Sequence, residues 1–519
     1  MGNRIVAIVE IGSTGIRLLV AEIEGGSWRV LDRAGRPVVL GLDVFTTGEL
    51  SRESFLECLS VLHDFRELLT GWGIANENIH VIATSALRVA RNRDILIDRI
   101  HQETGFMLSI VEGIEENRLM YLAVRYALKH DLPQFWRANS MIIEVGGGST
   151  EIMLLRRGQM AAAHSIKLGT IIIDQRSRLK IGAAHERYVS ESIRNTSGIL
   201  NAEMDLASVR SLVAAGSDAR LAAEQAGSDL NENCKVIKRE DFLAFAQKVR
   251  LFSIEECVNK LRISYADADG FIPGIMVLKL FLEQTSAARL VVPLVSIREG
   301  YLIDLVLGVD SELQEEFFSQ IIASAVSLGR KFHYDEAHSR HVANLCLIIF
   351  DALVKEHGMN RRQRMMLETA GILHDIGMFI KGSGHQIHGQ YIVENSEIFG
   401  LHRDELRIIA NVIRYHRSEP PSHSDIEYIS LQREERILVL KMASILRVAD
   451  ALDRGHSQHI KNISLDRRTE SVVIHTQPAI QTNSENYEAP PLDISLEWVG
   501  IKEKADLFQD VFGYKIVLN

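Results

Sequence analysis

Apolar residues near the N-terminus follow a pattern that predicts three adjacent β-strands. The run RIVAIV at residues 4–9 is typical of a buried strand, and RLLVAEI follows at residues 17–23 after the turn IGSTG. A third run around residues 28–31 completes a predicted antiparallel meander. Helical periodicity and short apolar runs such as HVIAT and MLSIV then alternate as far as residue 129. We therefore predict an α/β lobe over residues 1–130.

The same order of elements begins again at residue 141. MIIEVGGGSTEIMLLRRG predicts a strand, a glycine-rich turn and a second strand, and AAAHSIKLG adds a third. A helix near residues 185–205, the strand SLVAAG, helices to about residue 284 and the strand RLVVP follow. Because both halves open with strand, glycine turn and strand, we predict a duplicated fold whose second lobe covers residues 131–308.

The pattern changes after residue 308. Residues 309–460 show helical periodicity almost throughout, which predicts an all-α domain. The segments ISLDRRTESVVIHT and LDISLEWVG alternate apolar and polar residues, and we interpret both as strands of a small α+β domain over residues 461–519. Four structural units are thus predicted.

Composition narrows the class of protein. The chain has 519 residues, 46% hydrophobic and 24% charged, which is typical of globular domains. Its apolar runs fall short of the roughly 18 residues that a membrane span needs, and its four cysteines form no CxxC pair. A net charge of −10 argues against a binder of duplex nucleic acid. We expect a cytoplasmic protein that does not bind membranes.

The two glycine turns are candidate phosphate sites. Glycine lets backbone N–H groups converge on an anion, and neighbouring hydroxyls add donors. A carboxylate precedes each turn, Glu10 in the first lobe and Glu144 in the second, where it can hold a hydrated Mg²⁺ (or Mn²⁺). The alternative is that these glycines serve only the sterics of tight hairpins. The candidate phosphate-binding residues are Gly12, Ser13, Thr14, Gly146, Gly147, Gly148, Ser149 and Thr150.

Several segments together resemble a known family. AIVEIGSTGIRLLV, ATSALRVARN, VEGIEENRLMY, EVGGGSTEI and SIREGYL are similar, in that order, to motifs of the exopolyphosphatase/guanosine pentaphosphate phosphohydrolase family. The resemblance covers roughly residues 3–308. It implies duplicated ribonuclease-H-like lobes of the actin-like ATPase fold, with a polyphosphate tail bound between them and water attacking the terminal phosphoryl group.

The family motifs also imply roles for particular residues. Glu116 matches the catalytic glutamate that orients or deprotonates water, Glu151 a second acid near the metal or water, and Arg88 an arginine that contacts phosphate. From the residues alone, Glu116 also fits a charged first turn of a helix. The family usually has aspartate where this chain has Glu10 and Glu144, so we expect any Mg²⁺ to be displaced.

Histidine is concentrated in the helical domain, where 12 of the 19 histidines fall between His333 and His459. HSRHVA, LHDIG and a later aspartate resemble the ligand pattern of HD phosphohydrolases, and this HD-like domain would hold a divalent transition metal or Mg²⁺. The likeness implies the ligands His338, His374, Asp375 and Asp450, with His388 and His416 as further ligands of a binuclear centre. The other helix histidines, His341, His385, His402 and His456, are interpreted as ordinary hydrogen-bonded residues.

The leading functional interpretation is an exopolyphosphatase that releases orthophosphate from inorganic polyphosphate in the cleft between the lobes. Hydrolysis of the 5′-phosphate of guanosine pentaphosphate is the alternative, because the resemblance implies the same catalytic residues for both substrates. A third hypothesis is a polyphosphate or alarmone sensor that regulates a metal-dependent HD-like domain. The resemblance also implies a homodimer.

Overall fold

The chain forms two compact units, Met1–Phe317 and Phe318–Asn519. We describe each unit by itself, from a computed structural model. The structure describes residues 4–25, 27–128, 135–173, 183–307, 311–417, 420–422, 424–478 and 493–519. The predicted division into four units stays a prediction.

The first sheet has five strands in the order β3-β2-β1-β4-β5. Its strands are β1 (Arg4–Ile11), β2 (Gly15–Glu24), β3 (Ser27–Pro37), β4 (Ile79–Ala83) and β5 (Leu108–Ile110). Strands β1 to β3 form the antiparallel meander that the apolar pattern predicts, while β4 pairs in parallel with β1 and β5 with β4. Both faces of β1 are buried, which explains its nearly continuous apolar run.

Helices cover this sheet. They are Leu40–Thr47, Arg52–Gly71, Ser85–Val89, Arg93–Thr104 and Gly113–Ala127. In the helix Arg52–Gly71, the Ser51 hydroxyl accepts a hydrogen bond from the Ser54 N–H and caps the first turn. Apolar residues three and four apart, Leu59, Leu62 and Phe65 among them, pack against β-strand residues in one core.

The second sheet has seven strands in the order β10-β11-β12-β9-β6-β7-β8. Its strands are β6 (Ser140–Val145), β7 (Thr150–Arg156), β8 (Gln159–Ile166), β9 (Ser211–Ala215), β10 (Ser228–Asn231), β11 (Cys234–Lys238) and β12 (Arg289–Pro293). The run β8-β7-β6-β9-β12 repeats the order of the first sheet, which confirms the predicted duplication. The hairpin β10–β11 was not predicted, because its short polar strands carry little alternation.

The helices of this half are Ala183–Glu203, Ser217–Ala226, Arg239–Val249, Ile254–Leu261, Tyr265–Gln284 and Ile297–Leu307. The helix Tyr265–Gln284 is kinked at Asp269 and Gly270. Pro273 explains the kink, because it has no N–H to donate to the carbonyl of Asp269. Both kinked residues line the cavity described below.

The second unit is helical, with a small three-stranded sheet. Its helices are Ser311–Lys331, which contains the unit boundary, Glu336–Ala352, Val354–His357, Arg361–Leu373, His385–Glu394, Arg403–Arg414, Ile426–Ile429, Arg433–Ala451, Ser495–Lys504 and Asp506–Phe512. The strands β13 (Ile460–Arg467), β14 (Ser471–Pro478) and β15 (Lys515–Leu518) lie in that order. Among the described helices, none is both long enough and apolar enough to cross a membrane.

The strand predicted over LDISLEWVG is wrong, because this segment begins the helix Ser495–Lys504. The helix buries Glu497, Gly500, Ile501 and Lys504, three and four residues apart. The alternating apolar residues Leu496 and Trp498 that suggested a strand are instead exposed.

Close contact between two helices of the first unit predicts a sensitive glycine. A Cβ on Gly300 would lie 2.0 Å from the carbonyl oxygen of Leu119 on the facing helix. We expect Gly300→Ala to lower the free energy of unfolding by about 1–3 kcal/mol, because the helices must separate. The matched control is Gly71→Ala, where a Cβ meets nothing within 4 Å. Chemical denaturation measures both; equal effects would contradict this packing.

Candidate active sites

The two glycine turns have the same local geometry. The Gly12 N–H donates to the Gly15 carbonyl at 2.9 Å, and the Gly146 N–H donates to the Ser149 carbonyl at 2.9 Å. In each case the turn joins the first two strands of a sheet. The Ser13 hydroxyl also lies 2.8 Å from that of Ser85, which ties the first turn to a helix start.

Both turns line one cavity of about 730 Å³ within the first unit. Of the residues predicted from the sequence, those that line it are Glu10, Gly12, Ser13, Thr14, Glu116, Glu144, Gly146, Gly147, Ser149 and Glu151. Residues from both lobes are thus brought together, although the two glycine turns, at residues 12–15 and 146–149, lie far apart in the chain.

Three residues predicted to contact phosphate lie outside the lining of this cavity, and their contact with phosphate stays a prediction. Arg88 does not line the cavity; its guanidinium donates to the Glu116 carboxylate and to the Val111 carbonyl, the latter at 2.6 Å. The Thr150 hydroxyl donates to the Leu168 carbonyl at 2.5 Å and is fully buried. Gly148 lies against Phe45, whose ring a Cβ would meet at 2.2 Å. These residues support the site instead of lining it.

Four buried or nearly buried glutamates face the cavity. Burial, followed by the nearby Glu116 and Glu10, raises the pKa of Glu144 to about 8. Burial raises the pKa of Glu116 even though Arg88 opposes it, and burial beside Glu116 raises the pKa of Glu151 well above its usual range. This cavity therefore holds more carboxylate than it can keep ionised without cations.

Three further arginines partly balance the negative charge of these glutamates, and the sequence analysis gave none of the three a role. Arg298 Nε lies 3.1 Å from Glu10 Oε2, and Arg17 Nη1 lies 3.9 Å from Glu10 Oε1. Arg220, on the helix after Ala215-Gly216-Ser217, also lines the cavity. Arg298 belongs to the SIREGYL segment, so position in a motif was the available signal for it.

The donor set of this cavity fits a hard divalent cation. Carboxylate and hydroxyl oxygens are the ligands that Mg²⁺ prefers, and Mg²⁺ commonly needs only one or two carboxylates together with water and substrate phosphate. Among the described residues, groups of three donor atoms within 4.8 Å of one another occur in the second unit and not here. A cation in this cavity would therefore depend on water and substrate for much of its coordination.

Three such donor groups lie in the second unit, and one of them, His338, Asp375 and His456, shares residues with the other two. The first consists of His338, His374 and Asp450, with 3.2 Å between the Nε2 atoms of the two histidines. The second consists of Asp375, His385 and His416, with 3.3 Å between the two Nε2 atoms. Asp375 connects the groups, because Oδ2 is 3.7 Å from His374 Nε2 and Oδ1 is 3.1 Å from His385 Nε2.

The opposite nitrogens of these rings fix their orientation. The Nδ1 atoms of His374, His385 and His416 lie 2.7–2.9 Å from the carbonyls of Gly371, Gly382 and Ile413, respectively. A carbonyl oxygen only accepts, so each Nδ1 must donate and each neutral Nε2 presents a lone pair to the centre. Facing lone pairs repel unless a cation lies between them, which is the arrangement of metal-bound imidazoles.

Protonation of the histidines differs within the cluster. Burial, with His374 nearby, lowers the pKa of His416 to about 3, so its ring is neutral. Burial alone would lower the pKa of His338, but hydrogen bonds with Asp450 and Asp453 raise it to about 9. A metal bound at His338 Nε2 must therefore displace a proton.

One predicted ligand of the second unit lies apart from the others. His388 is outside each donor group found among the described residues, whereas His385, interpreted from the sequence as an ordinary helix residue, belongs to one. Three residues further along the helix, His388 is displaced by roughly 4.5 Å along the axis. His456 forms a hydrogen bond with Asp335 at 3.3 Å, as its interpretation expects, but its ring also stacks on His338 with centroids 3.6 Å apart and joins a donor group with His338 and Asp375.

Models of known protein families match most of each unit of the chain. Residues 19–308 match the model of the Ppx/GppA phosphatase family, and residues 322–488 match the model described as Ppx/GppA phosphatase, domain III. The chain belongs to the Ppx/GppA phosphatase family. It is a hydrolase of phosphoric anhydrides, as the motifs predicted. The likeness of the second unit to HD phosphohydrolases stays a prediction.

Curated members of the family match most of the chain. The guanosine-5′-triphosphate,3′-diphosphate pyrophosphatase of Aliivibrio fischeri (strain MJ11) is 23% identical over 476 residues, covering 89% of this chain and 91% of that protein. Its namesake from Vibrio parahaemolyticus is 22% identical over 490 residues, covering 94% and 93%.

A solved family structure supports the fold. An exopolyphosphatase from Cytophaga hutchinsonii matches with a TM-score of 0.54 and 19% identity, covering 59% of this chain and 99% of that one. At this identity the likeness concerns the fold alone. It agrees with the duplicated α/β lobes of the actin-like fold that the sequence predicted.

The raised pKa of Glu144 predicts a pH-dependent stability. Between pH 4.5 and about 8 the folded state holds a proton that the unfolded chain releases, so stability falls as pH rises through this window. We expect Glu144→Gln, measured by thermal unfolding in EDTA, to stabilise the protein at pH 8 by on the order of 2–4 kcal/mol. Near pH 5 the variant and the wild type should coincide. A pH-independent difference would contradict the assigned cause.

Proposed function

We propose that the first unit hydrolyses the terminal phosphoric anhydride of a linear phosphate chain, with inorganic polyphosphate as the first candidate substrate. The observation that carries this proposal is the shared cavity in which two glycine turns face buried glutamates from both lobes. Guanosine pentaphosphate is the second candidate, since curated relatives of nearly full coverage are named for it.

Glu116 is the proposed general base. Its carboxylate lies in the cavity, and Arg88 holds it in place by a charged hydrogen bond. The water oxygen attacks the terminal phosphorus, the bond from phosphorus to the bridging oxygen breaks, and the water proton passes to Glu116. A raised pKa makes Glu116 a stronger base than an exposed glutamate.

Glu151 is proposed to orient the same water. Its two oxygens are held by Ser165 Oγ at 2.8 Å and by Asn117 Nδ2 at 3.1 Å, so the side chain is fixed before substrate binds. The backbone N–H groups of the two turns, with Arg17 and Arg298, are proposed to bind the phosphate oxygens. Bound Mg²⁺ would neutralise charge on the phosphate chain.

One feature of the cavity favours guanosine pentaphosphate as the second candidate. Asp218, Asp267 and Asp269 line part of it, and burial together with the nearby Asp267 raises the pKa of Asp218 to about 8. Carboxylates repel a continuous polyanion but accept hydrogen bonds from hydroxyl and amino groups. Orthophosphate release from long-chain polyphosphate and from guanosine pentaphosphate, measured side by side with Mg²⁺ or Mn²⁺, separates the two substrates.

Glu116→Gln tests the catalytic base. We expect orthophosphate release to fall by about 10²–10⁴-fold, because the amide cannot accept the proton. Glu112→Gln is the matched control, since Glu112 is exposed and lies only four residues earlier. Full activity of the Glu116 variant would refute the assignment. Protection of the wild type by polyphosphate against thermal unfolding, without any turnover, would instead support the sensor hypothesis.

We also propose that the second unit holds a binuclear metal centre with phosphohydrolase chemistry. The mixed imidazole and carboxylate donors suit Mn, Fe or Zn, and Asp375, which has one oxygen near His374 and the other near His385, would help to hold both ions. Paired metals activate water and stabilise the displaced oxygen when bound. The cytoplasmic location and the homodimer expected from the sequence stay predictions.

A pair of histidine variants tests this centre. We expect His385→Ala to lower the bound metal from two equivalents to one, because the second donor group loses an imidazole. His388→Ala, on the same helix, should retain both equivalents. Elemental analysis after loading with Mn²⁺ and desalting gives the count. Equal metal content in the two variants would contradict the assignment of His385.

A further inference from the structure

The helix Ser495–Lys504 ends beside the first donor group, which contains Asp450. The ammonium group of Lys504 forms an ion pair with Oδ2 of Asp450. The other carboxylate oxygen of Asp450, Oδ1, lies 3.6 Å from His338 Nε2 and 3.7 Å from His374 Nε2. Asp450 therefore faces the imidazoles with one oxygen and Lys504 with the other.

A buried arginine fixes this end of the helix. Arg447, one turn before Asp450 on the helix Arg433–Ala451, donates from Nε to the Lys504 carbonyl at 2.9 Å and from Nη2 to Asp506 at 2.8 Å. The two helices also approach each other closely at Gly500, where an added Cβ would lie 3.1 Å from the Ala451 carbonyl oxygen. The position of Lys504 is thus determined by packing and not by the ion pair alone.

Solvent reaches this cluster at Lys504, the two carboxylates and His456. The side chains of His338 and His374 are fully buried, whereas those of Asp375, Asp450 and Lys504 are 14%, 11% and 11% exposed and that of His456 is 42% exposed. A molecule that enters from solvent therefore meets the two carboxylates, the ammonium group and the His456 ring before the two buried imidazoles. Carboxylates that are bound to metal no longer repel an anion. The ammonium group can then attract an anion to the cluster.

We propose that Lys504 is a substrate-contact residue of the second site, and this rests on the metal centre proposed above. The ammonium group has three N–H donors, of which the Asp450 carboxylate takes one, so it has capacity for a non-bridging oxygen of a phosphate ester or anhydride. The substrate class that fits is a compact phosphate group, because two metal ions and one ammonium group match its charge. The C-terminal segment thereby completes a site whose other residues lie between residues 338 and 450.

Inorganic phosphate serves as the probe for this contact. Full-length protein carrying Glu116→Gln, which removes the proposed base of the first site, is loaded with Mn²⁺ and titrated with phosphate by calorimetry; phosphate bound by the first site is then common to the parent and to every variant. We expect Lys504→Met to keep the metal content of the parent and to weaken phosphate binding at least tenfold. Lys504→Arg should restore part of the affinity, because it keeps a cationic donor.

Lys502→Met is the matched control, since Lys502 lies on the same helix and contacts the Trp498 ring instead of the cluster. It should bind phosphate like the parent. Unchanged phosphate affinity in Lys504→Met would overturn the inference, and so would loss of metal from both Lys504 variants, which would make the residue a support for Asp450 only. A parent protein that binds no Mn²⁺ would overturn the metal centre itself and the inference with it.

Discussion

Four glutamates of the first unit, Glu10, Glu116, Glu144 and Glu151, surround one cavity in which burial disfavours their ionised forms. The side chains around these glutamates hold them in position. Arginines approach from both lobes, and hydroxyl and amide donors fix individual oxygens. The remaining negative charge is the physical basis for the proposal that this cavity binds a divalent cation together with a phosphate chain.

The duplicated fold explains how this cavity arises. Each sheet opens with a hairpin whose tight glycine turn exposes backbone N–H groups, and the acid before each turn lies at the end of the first strand. Two copies of one simple element thus supply donors and acids from two directions. The second unit brings four imidazoles together in two close pairs, with 3.2 Å and 3.3 Å between their Nε2 atoms, and this is the geometry on which its proposed metal centre rests.

Local periodicity made much of the fold predictable. The meander β1–β3, the helix Arg52–Gly71 and the duplication follow from apolar spacing, because one face of each element must be buried. The hairpin β10–β11 and the helix Ser495–Lys504 were missed or misassigned, since burial there depends on neighbours distant in the chain. In the helix, alternation of Leu496 and Trp498 imitated a strand, while the face that is actually buried carries Glu497 and Lys504.

The sequence by itself determined the family, the paired glycine turns, the glutamates of the cavity and most of the histidine and aspartate donors, because motif residues lie close together along the chain. Only the tertiary structure decided that Arg88 donates to Glu116, that His385 and not His388 joins the donor cluster, and that Lys504 reaches Asp450. Each of these contacts joins side chains on two different elements. The packing of the elements determines such contacts, whereas sequence spacing along a single helix does not distinguish between neighbouring candidate residues.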